Sequence, residues 1–192
     1  MQIDIDSGLM LGVRQIASPN HDARPPGVEA DLIVVHGISL PPGEFGGPWI
    51  DRLFANTLPA EMHPYFAEVS PLRVSSHLVI QRDGAVTQYV SFIDRAWHAG
   101  TSNYQGREAC NDFSVGVELE GTDTLEYESV QYGAPAEVVA ALCAAYPRLS
   151  PQRVVGHSDI SPGRKTDPGP AFDWPRARGQ IAAACGRTTQ GR

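Results

Sequence analysis

Two histidines follow apolar segments whose residues suit buried strands. His36 comes after "LIVV" and His157 comes after "RVVG", and Asp167 lies a short distance further along the chain. Neighbouring strands of a sheet are about 4.8 Å apart, so both imidazoles reach one ion if these two strands are neighbours. Two imidazoles and one carboxylate, with water in the fourth position, form an open zinc site of the catalytic type. The alternative for each histidine is an ordinary core or loop residue, because ligands far apart in sequence are a weak signal.

Two further side chains could act on a substrate at such an ion. Lys165 lies two residues before Asp167, so in an extended backbone both side chains point the same way and the ammonium would stabilise an oxyanion. Glu118 lies opposite the apolar residues of "DFSVGVELEG", where a buried carboxylate requires a partner such as a metal-bound water. The glutamate would take the proton of that water. The ordinary alternatives are a solvated lysine and a glutamate that faces solvent.

Glu118 and Glu120 also fit a rival chemistry, that of a glycosidase. Carboxyl groups on one face of a strand can lie about 5 to 9.5 Å apart, which is the separation that glycosidase mechanisms use. This hypothesis leaves His36, His157 and the "GRKTDPGP" segment without a role. It therefore ranks below the metal site.

Three residues are candidates for binding a substrate. Trp97 and His98, in "RAWHAG", are predicted at the edge of a cleft, where the indole would stack on a sugar ring or a peptide. Arg73 would hold a substrate carboxylate through two parallel hydrogen bonds. The alternatives are a core position for Trp97, a surface position beside it for His98 and a solvated Arg73.

Strands mixed with a few helices must position these side chains. The strongest helix signal is "PAEVVAALCAAYP", in which Pro135 suits the first turn and Pro147 prevents continuation. Residues 179–192 have no clear apolar periodicity in "GRTTQGR" and are predicted to be a frayed tail. The other predicted elements are a buried strand over 32–35, a short helix over 49–54, a hairpin at Asp83-Gly84, an alternating strand over 113–120 and a short strand before His157. This pattern indicates an α/β or α+β fold with one central sheet.

Length and composition limit the possibilities further. A chain of 192 residues with 42% hydrophobic residues can bury one sizeable core, so we predict one domain over 1–192, with its core at about 18–178. A net charge of -7 opposes binding to nucleic acid or to anionic lipid. No exposed apolar stripe favours a dimer, and a monomer is expected.

The compartment is predicted from the cysteines and the N-terminus. Cys110, Cys143 and Cys185 are odd in number and lack CxxC spacing, which argues against a disulfide framework and favours a reducing cytoplasm. The segment "MQIDIDSGLMLGVRQ" has neither the basic flank nor the apolar run of a signal peptide, and no stretch is apolar enough to span a bilayer.

Several segments together resemble one enzyme family. They resemble the zinc-dependent N-acetylmuramoyl-L-alanine amidases, a family related to phage lysozyme-type amidases and to peptidoglycan recognition proteins. The segments that carry the resemblance, in order along the chain, are "VVHGISLPPGEFGGPWID", "HLVIQRDG", "RAWHAGTSNYQGRE", "CNDFSVGVELEGTDT" and "GRKTDPGPAFDW". The resemblance runs from about "SPNHDARP" to "FDWPR" and is greatest to the cytoplasmic branch that acts on 1,6-anhydromuramyl peptides. It implies a mixed central sheet flanked by helices, with zinc at the edge of the sheet.

The resemblance also implies a role for each motif residue. His36, His157 and Asp167 match the zinc ligands, Glu118 matches the acid/base position and Lys165 matches the lysine that stabilises charge. The implied reaction is hydrolysis of the amide between the lactyl group of anhydro-N-acetylmuramic acid and the L-alanine of a stem peptide, during cell-wall recycling. In bacteria with an inducible chromosomal β-lactamase, it further implies an effect on the inducing muropeptides.

Two positions depart from the family pattern near the expected substrate groove. Gly37 stands where relatives carry Asn, and Ala109 stands where they often carry Arg. The segment "YESVQYGAPAEVV" also diverges and is expected to be a surface helix. A second hypothesis is a module that binds muropeptides without cutting them, because some relatives have lost the third metal ligand. The presence of Asp167 favours the enzyme.

Overall fold

The computed structural model describes the backbone of residues 1–190 and the side chains of residues 1–187. This part of the protein contains twelve short strands, five α-helices and three short 3-10 helices. The strands are β1 (Gln2–Asp4), β2 (Leu9–Leu11), β3 (Arg14–Gln15), β4 (His21–Ala23), β5 (Leu32–Ile38), β6 (Leu78–Ile80), β7 (Val86–Gln88), β8 (Asp94–Ala96), β9 (Asn103–Tyr104), β10 (Arg107–Glu108), β11 (Ser114–Glu120) and β12 (Val154–Gly156). The helices are α1 (Trp49–Phe54), α2 (Pro64–Val69), α3 (Val130–Ala145), α4 (His157–Ile160) and α5 (Trp174–Gln190).

A six-stranded mixed sheet with the order β12-β5-β11-β6-β7-β3 forms the centre of the fold. The strands β12, β5, β11 and β6 run parallel, whereas β6 and β7 form an antiparallel hairpin. Gly84, in the turn of that hairpin, has a φ of +84°, as the Asp83-Gly84 dipeptide predicted. The predicted fold class, a mixed central sheet with flanking helices, is confirmed.

The two central strands, β5 and β11, are buried on both faces. Val115, Val117 and Leu119 of β11 point to one face and belong to the main apolar cluster, as the alternation predicted. Glu118 and Glu120 point to the other face and are only 9% and 3% exposed. The alternative in which these glutamates face solvent is therefore wrong, because helices and loops cover both faces of a parallel sheet.

The apolar face of the sheet is covered by α3 and α5, which pack against each other. Ala177, Ile181 and Ala184 of α5 are buried at helical spacing in the main cluster. The prediction of a frayed tail from residue 179 is thus wrong as far as Gln190, and residues 191–192 lie outside the described part. The short apolar stripe in "IAAAC" becomes helical because α3 offers it an apolar surface.

The start of α3 also differs from the prediction. The helix begins at Val130, so Pro135 lies inside it rather than in its first turn. Gln131 explains the additional turn: its side chain is fully buried, and its amide donates a hydrogen bond to the backbone carbonyl of Glu120 (2.8 Å). This tertiary contact holds the first turn in place, although a proline inside a helix removes one backbone hydrogen bond.

The opposite face of the sheet carries two smaller apolar clusters with a polar area between them. One cluster surrounds Phe54 of α1 and Phe66 of α2, and the other surrounds Val34 and Phe113. The helix α1 has the bounds that the sequence predicted. Between the two clusters the sheet presents polar side chains. None of the described helices combines the length and the hydropathy that a transmembrane span needs.

The packing of α5 can be tested by truncating one side chain. We expect Ile181→Ala to lower the free energy of unfolding by about 2 to 5 kcal/mol, because the side chain is 4% exposed and its removal leaves a cavity. Ala182→Ser, on the exposed side of the same turn, should change it by less than about 0.5 kcal/mol. Urea denaturation measures both values, and equal effects of the two variants would show that the helix is not packed as described.

Candidate metal centre

The register of three neighbouring strands brings His36, Glu118 and His157 to one place. In the parallel sheet His36 of β5 lies opposite Glu118 of β11, and Val35 lies opposite Gly156, the residue before His157. Adjacent strands are about 4.8 Å apart, so these side chains are near neighbours at the carboxyl ends of the strands. Open parallel sheets usually bind ligands at this edge. The condition for a shared ion, that the two histidine-bearing strands are neighbours, is therefore met.

Asp167 reaches the same place from the loop that follows α4. The backbone carbonyl of Asp167 accepts a hydrogen bond from the amide of Ser158 (3.0 Å), which ties the loop to the first turn of α4. A side chain at Gly156 would be only 3.0 Å from Pro168 Cδ, so the glycine allows the loop to pack closely on β12. The loop is therefore held against the strand that carries His157.

Three potential ligand atoms converge at this point. His36 Nδ1 is 2.9 Å from His157 Nδ1 and 3.2 Å from Asp167 Oδ2, and His157 Nδ1 is 3.1 Å from the same oxygen. Both histidines are almost completely buried, and the Asp167 side chain is 16% exposed. All three ligand atoms lie within 4.8 Å of one another. The sequence therefore identified a set of residues that the fold does bring together.

The chemistry of these atoms fits a metal ion. His157 Nε2 lies 3.1 Å from the carbonyl oxygen of Ala99, so the ring can carry its proton on Nε2 and present Nδ1 to an ion. Burial would raise the pKa of Asp167, but its close contacts with His157 and His36 outweigh burial and lower the pKa, so the side chain is a carboxylate at neutral pH. Burial lowers the pKa of His36 to about 4, so this ring is neutral. Neutral imidazoles and a carboxylate are the ligand forms that zinc requires.

Glu118 is a buried carboxyl group beside the three ligands. Burial raises its pKa well above the ordinary value, the negative charge of Asp167 acts in the same direction, and Lys165 opposes them. Within the described residues its carboxyl oxygens have no hydrogen-bond partner, and they face the cavity. The carboxyl group can therefore exchange a proton with a water molecule or a ligand that enters the cavity.

A cavity of about 210 Å³ opens beside the ligands. Its far wall is apolar, and its near wall carries the ligands, Glu118 and Lys165. Lys165 is exposed and forms no ion pair with the described residues, so its ammonium is free to meet a ligand. The residues that supply the apolar wall are Leu40, Leu53, Phe54, Tyr65, Val69, Leu72 and Val74.

The three predicted substrate-binding residues have different positions. Trp97 and His98 line the cavity. The indole of Trp97 donates a hydrogen bond to Asp22 (3.0 Å), whereas His98 has both ring nitrogens next to other side chains. Arg73 is exposed beside the cavity residues Leu72 and Val74, and its guanidinium bonds to backbone carbonyls of its own loop. Arg73 is therefore not brought together with the other two.

The rival pairing of Glu118 with Glu120 is not supported by the structure. The carboxylate of Glu120 accepts hydrogen bonds from the backbone amides of Gly46 and Arg82. These bonds attach the Pro/Gly loop after β5 and the β6–β7 hairpin to the end of β11, and Glu120 does not line the cavity. Its carboxylate serves to hold these loops.

Two residues behind the site, the buried His77 and the half-buried Arg24, had no role in the sequence analysis. His77 accepts a hydrogen bond at Nδ1 from the amide of Gly116 (3.0 Å), and burial, together with the charge of Arg24, lowers its pKa to about 3. Arg24 donates hydrogen bonds to the carbonyls of Asp112 (2.9 Å) and Ser114 (3.0 Å). These bonds fix the backbone where β11 begins. Neither side chain has a local sequence signal, since both roles arise from contacts across the fold.

Gly37 and the divergent segment turn out to be in contact. A Cβ atom at Gly37 would lie 2.6 Å from the hydroxyl oxygen of Tyr127, and that hydroxyl donates a hydrogen bond to the carbonyl of Pro168 (3.0 Å). Tyr127 is buried, and Gly121 also makes room for its ring. The expectation that "YESVQYGAPAEVV" concerns only a surface helix is therefore wrong, because Tyr127 supports the residue that follows Asp167.

Ala109 lies away from the metal ligands. It has a left-handed conformation with a φ of 55° and borders a separate surface cavity next to Arg164. The backbone carbonyls of Ala99 and Thr101 accept hydrogen bonds from Arg164 (2.6 and 2.8 Å). A second basic side chain in the position of Ala109 would therefore border this cavity and not the metal centre.

Comparison with known proteins agrees with this arrangement. Residues 26–170 match the N-acetylmuramoyl-L-alanine amidase family. The 1,6-anhydro-N-acetylmuramyl-L-alanine amidase AmpD of Salmonella typhimurium (strain LT2) is 58% identical over 92% of this chain and 94% of its own. A crystal structure of a selenomethionine derivative of AmpD has a TM-score of 0.91 at 55% identity, over 94% of this chain and 99% of that chain.

A more distant structure contains a substrate. The Escherichia coli N-acetylmuramyl-L-alanine amidase AmiD, in complex with the substrate anhydro-N-acetylmuramic acid-L-Ala-D-gamma-Glu-L-Lys, has a TM-score of 0.57 at 26% identity. The match covers 82% of this chain and 60% of that chain.

The contact between Gly37 and Tyr127 predicts coupling between the two positions. We expect Gly37→Asn to lower the free energy of unfolding by about 1 to 3 kcal/mol, because the new side chain overlaps the tyrosine hydroxyl. In a Tyr127→Phe background, which lacks that oxygen, the same substitution should cost less. A double-mutant cycle by urea denaturation measures the difference, and strictly additive effects would contradict the contact.

Proposed function

This chain belongs to the N-acetylmuramoyl-L-alanine amidase family, and on that premise we propose that it hydrolyses the amide bond between the lactyl group of 1,6-anhydro-N-acetylmuramic acid and the L-alanine of a stem peptide. It is thus an amidase of cell-wall recycling. The AmpD relative named above carries this specificity in its name and aligns with nearly the whole chain. An effect on β-lactamase induction, through the level of muropeptides, would follow in bacteria that have such a system.

One observation carries the proposal. The facing Nδ1 atoms of His36 and His157 and the carboxylate of Asp167 lie at the bottom of a cavity whose wall includes Glu118 and Lys165. A site built to bind without cutting has no need for a carboxyl group that is buried and without a partner in the described structure. The combination favours hydrolysis over simple binding.

We propose that the ion is zinc, held by His36, His157 and Asp167. Two imidazoles and one carboxylate leave a fourth position open, which is the pattern of catalytic zinc sites. When bound, zinc would polarise the amide carbonyl and lower the pKa of a water molecule to about 7.

Glu118 and Lys165 supply the remaining chemistry in this proposal. Glu118 takes a proton from the attacking water and gives it to the nitrogen of the departing L-alanine, because the two steps occur within reach of one carboxyl group. Lys165 places its ammonium next to the oxygen of the tetrahedral intermediate and stabilises the negative charge there. Burial raises the pKa of Glu118, which makes its carboxylate a stronger base than that of an exposed glutamate.

The shape of the cavity supports a substrate with both polar and apolar parts. We propose that Trp97 contacts the sugar or the first peptide residue through its ring, with His98 beside it in the cavity wall. Arg73, at the rim, is proposed to meet a carboxylate of the stem peptide after it leaves the carbonyls of its own loop.

The broader setting is also a proposal. We propose one amidase domain over 1–192, which acts as a monomer in the cytoplasm and does not bind nucleic acid or membranes. The net charge of -7 and the reduced cysteines support this setting. The central sheet includes β3, and α5 packs on α3, so elements outside the family match at 26–170 belong to the same core.

Metal dependence gives the first test. We expect purified protein to convert anhydromuramyl-tripeptide to free tripeptide and anhydro-N-acetylmuramic acid, to stop after dialysis against a chelator and to recover with zinc. Mass spectrometry distinguishes these products from the fragments that a glycosidase would release. Intact substrate in every condition, with binding still measurable, would instead favour the muropeptide-binding module.

The role of Glu118 gives the second test. Glu118→Gln should lower kcat by about 10²- to 10⁴-fold, because the amide has nearly the same shape but cannot accept the proton. Zinc content, measured by atomic spectroscopy, should stay the same because Glu118 is not a ligand. Glu61→Gln, on the exposed surface, is the matched control and should keep full activity. If Glu118→Gln kept wild-type kcat, the assignment of the proton transfer would be wrong.

A further inference from the structure

His98 lies directly behind His36, on the side away from the other metal ligands. His98 Nδ1 is 2.9 Å from His36 Nε2, and His98 Nε2 is 3.1 Å from the hydroxyl oxygen of Ser114. Each contact is within hydrogen-bonding distance and lies away from the place where the three candidate ligand atoms meet, so one atom of each pair donates and the other accepts. The positions of these hydrogens can be worked out in order, starting from Ser114.

The hydroxyl of Ser114 has one hydrogen, and its direction is fixed. Ser114 Oγ is 2.6 Å from the backbone carbonyl oxygen of Cys110, which has no hydrogen of its own. The serine hydrogen must lie between these two oxygens. Ser114 Oγ can therefore only accept a hydrogen bond from His98, and the donor is His98 Nε2–H.

The proton on Nε2 decides the state of the remaining nitrogens. His36 Nδ1 is the ring nitrogen that faces His157 and Asp167, and a neutral imidazole that binds an ion through Nδ1 carries its hydrogen on Nε2. The hydrogen between His98 Nδ1 and His36 Nε2 therefore belongs to His36. The other nitrogen of His36, Nδ1, then has the free lone pair that faces His157 and Asp167.

We propose that His98 is a positioning residue of the metal centre, which accepts a hydrogen bond from His36 and so holds that ligand in its metal-binding tautomer and orientation. The proposal deepens the proposed function, since it concerns how the chain prepares the same site for an ion. It also gives His98 a role that differs from the substrate contact expected from the sequence.

The sheet provides space for the His98 ring. A Cβ atom at Gly116, in the middle of β11, would lie 2.6 Å from His98 Cγ and 2.8 Å from Nδ1. The φ angle of Gly116 is not in the left-handed range, so the backbone conformation does not require glycine here. The absence of a side chain is explained by the ring. The backbone on both sides is fixed, because Gly116 donates to His77 and the amides of His98 and Ala99 donate to Asn111 (3.1 and 2.8 Å).

The two histidine ligands are supported in different ways. His157 donates its Nε2–H to the backbone carbonyl of Ala99, which a side-chain substitution cannot remove. His36 donates to a side chain, and its ring is 2% exposed, so water has little access to replace a lost acceptor. Metal-binding histidines usually need such an acceptor for their second nitrogen. Among the described residues, His98 is the side chain that accepts the hydrogen of His36 Nε2.

The experiment compares two substitutions of His98 in the full chain. His98→Leu removes the acceptor, whereas His98→Asn keeps an acceptor oxygen close to the position of Nδ1. His21→Leu, at an exposed histidine, is the matched control. Nitrogen-15 NMR of the metal-free proteins reports the tautomer of His36, and competition with a coloured chelator reports the affinity for zinc.

We expect His36 to carry its proton on Nε2 in the wild type, in His21→Leu and in His98→Asn. In His98→Leu we expect a mixture of the two tautomers and zinc affinity lower by about 10- to 100-fold. The His98→Asn substitution should recover most of that loss. Thermal denaturation of the metal-free variants separates this effect from a general loss of stability.

Two results would overturn the proposal. One is a folded His98→Leu with the wild-type tautomer of His36 and wild-type zinc affinity, and the other is a wild type in which His36 carries its proton on Nδ1. If His98→Leu does not fold, Ser114→Ala replaces it, because the loss of the serine frees the His98 ring and should disturb the His36 tautomer. The tautomer is read without metal or substrate, so failure of the amidase assay alone would count against the proposed function and not against His98.

Discussion

The need to hold three acceptor groups together in a buried place governs this structure. His36, His157 and Asp167 present two imidazole nitrogens and a carboxylate oxygen within 4.8 Å of one another. Such groups repel one another unless a cation or a proton lies between them, and burial makes the repulsion stronger because the surroundings screen charge poorly. The fold must therefore supply the energy that keeps them close before any ion arrives.

That energy comes from the opposite face of the sheet. Val35 and Val117 are strand neighbours of His36 and Glu118, and they point into the large apolar cluster under α3 and α5. Because side chains alternate along a strand, each buried apolar residue on one face fixes the direction of its polar neighbour on the other. The parallel register then sets the spacing between the polar side chains. The same strands therefore stabilise the fold with the side chains on one face and position the site residues on the other.

Three glycines around the site provide space for neighbouring side chains. Gly116 leaves room for the His98 ring, Gly37 leaves room for the Tyr127 hydroxyl, and Gly156 allows Pro168 to lie against β12. At each of these positions a Cβ atom would come within about 3 Å of the neighbouring group. The candidate metal ligands are therefore supported by residues distant in sequence, which occupy the space that these glycines leave. The departure from the family pattern at Gly37 and the divergent segment with Tyr127 are two parts of one contact.

The sequence by itself indicated the candidate ligands and the local elements that carry them. Three local patterns were sufficient to predict one site, since such patterns can be recognised without knowing the fold. They are the apolar runs before His36 and His157, the alternation that places Glu118 and Val117 on opposite faces, and the Gly/Pro loop that carries Lys165 and Asp167. Only the tertiary structure decided which nitrogen of His36 faces the site and that the Glu120 carboxylate binds the backbone of two loops. It also decided the helix boundaries, since α3 begins at Val130 and α5 continues to Gln190. Each of these depends on a partner far away in the chain, such as Ser114 for the hydrogen bond of His98 or α3 for the packing of Ile181. A local pattern contains no information about such a partner, because the contact exists only after the chain has folded.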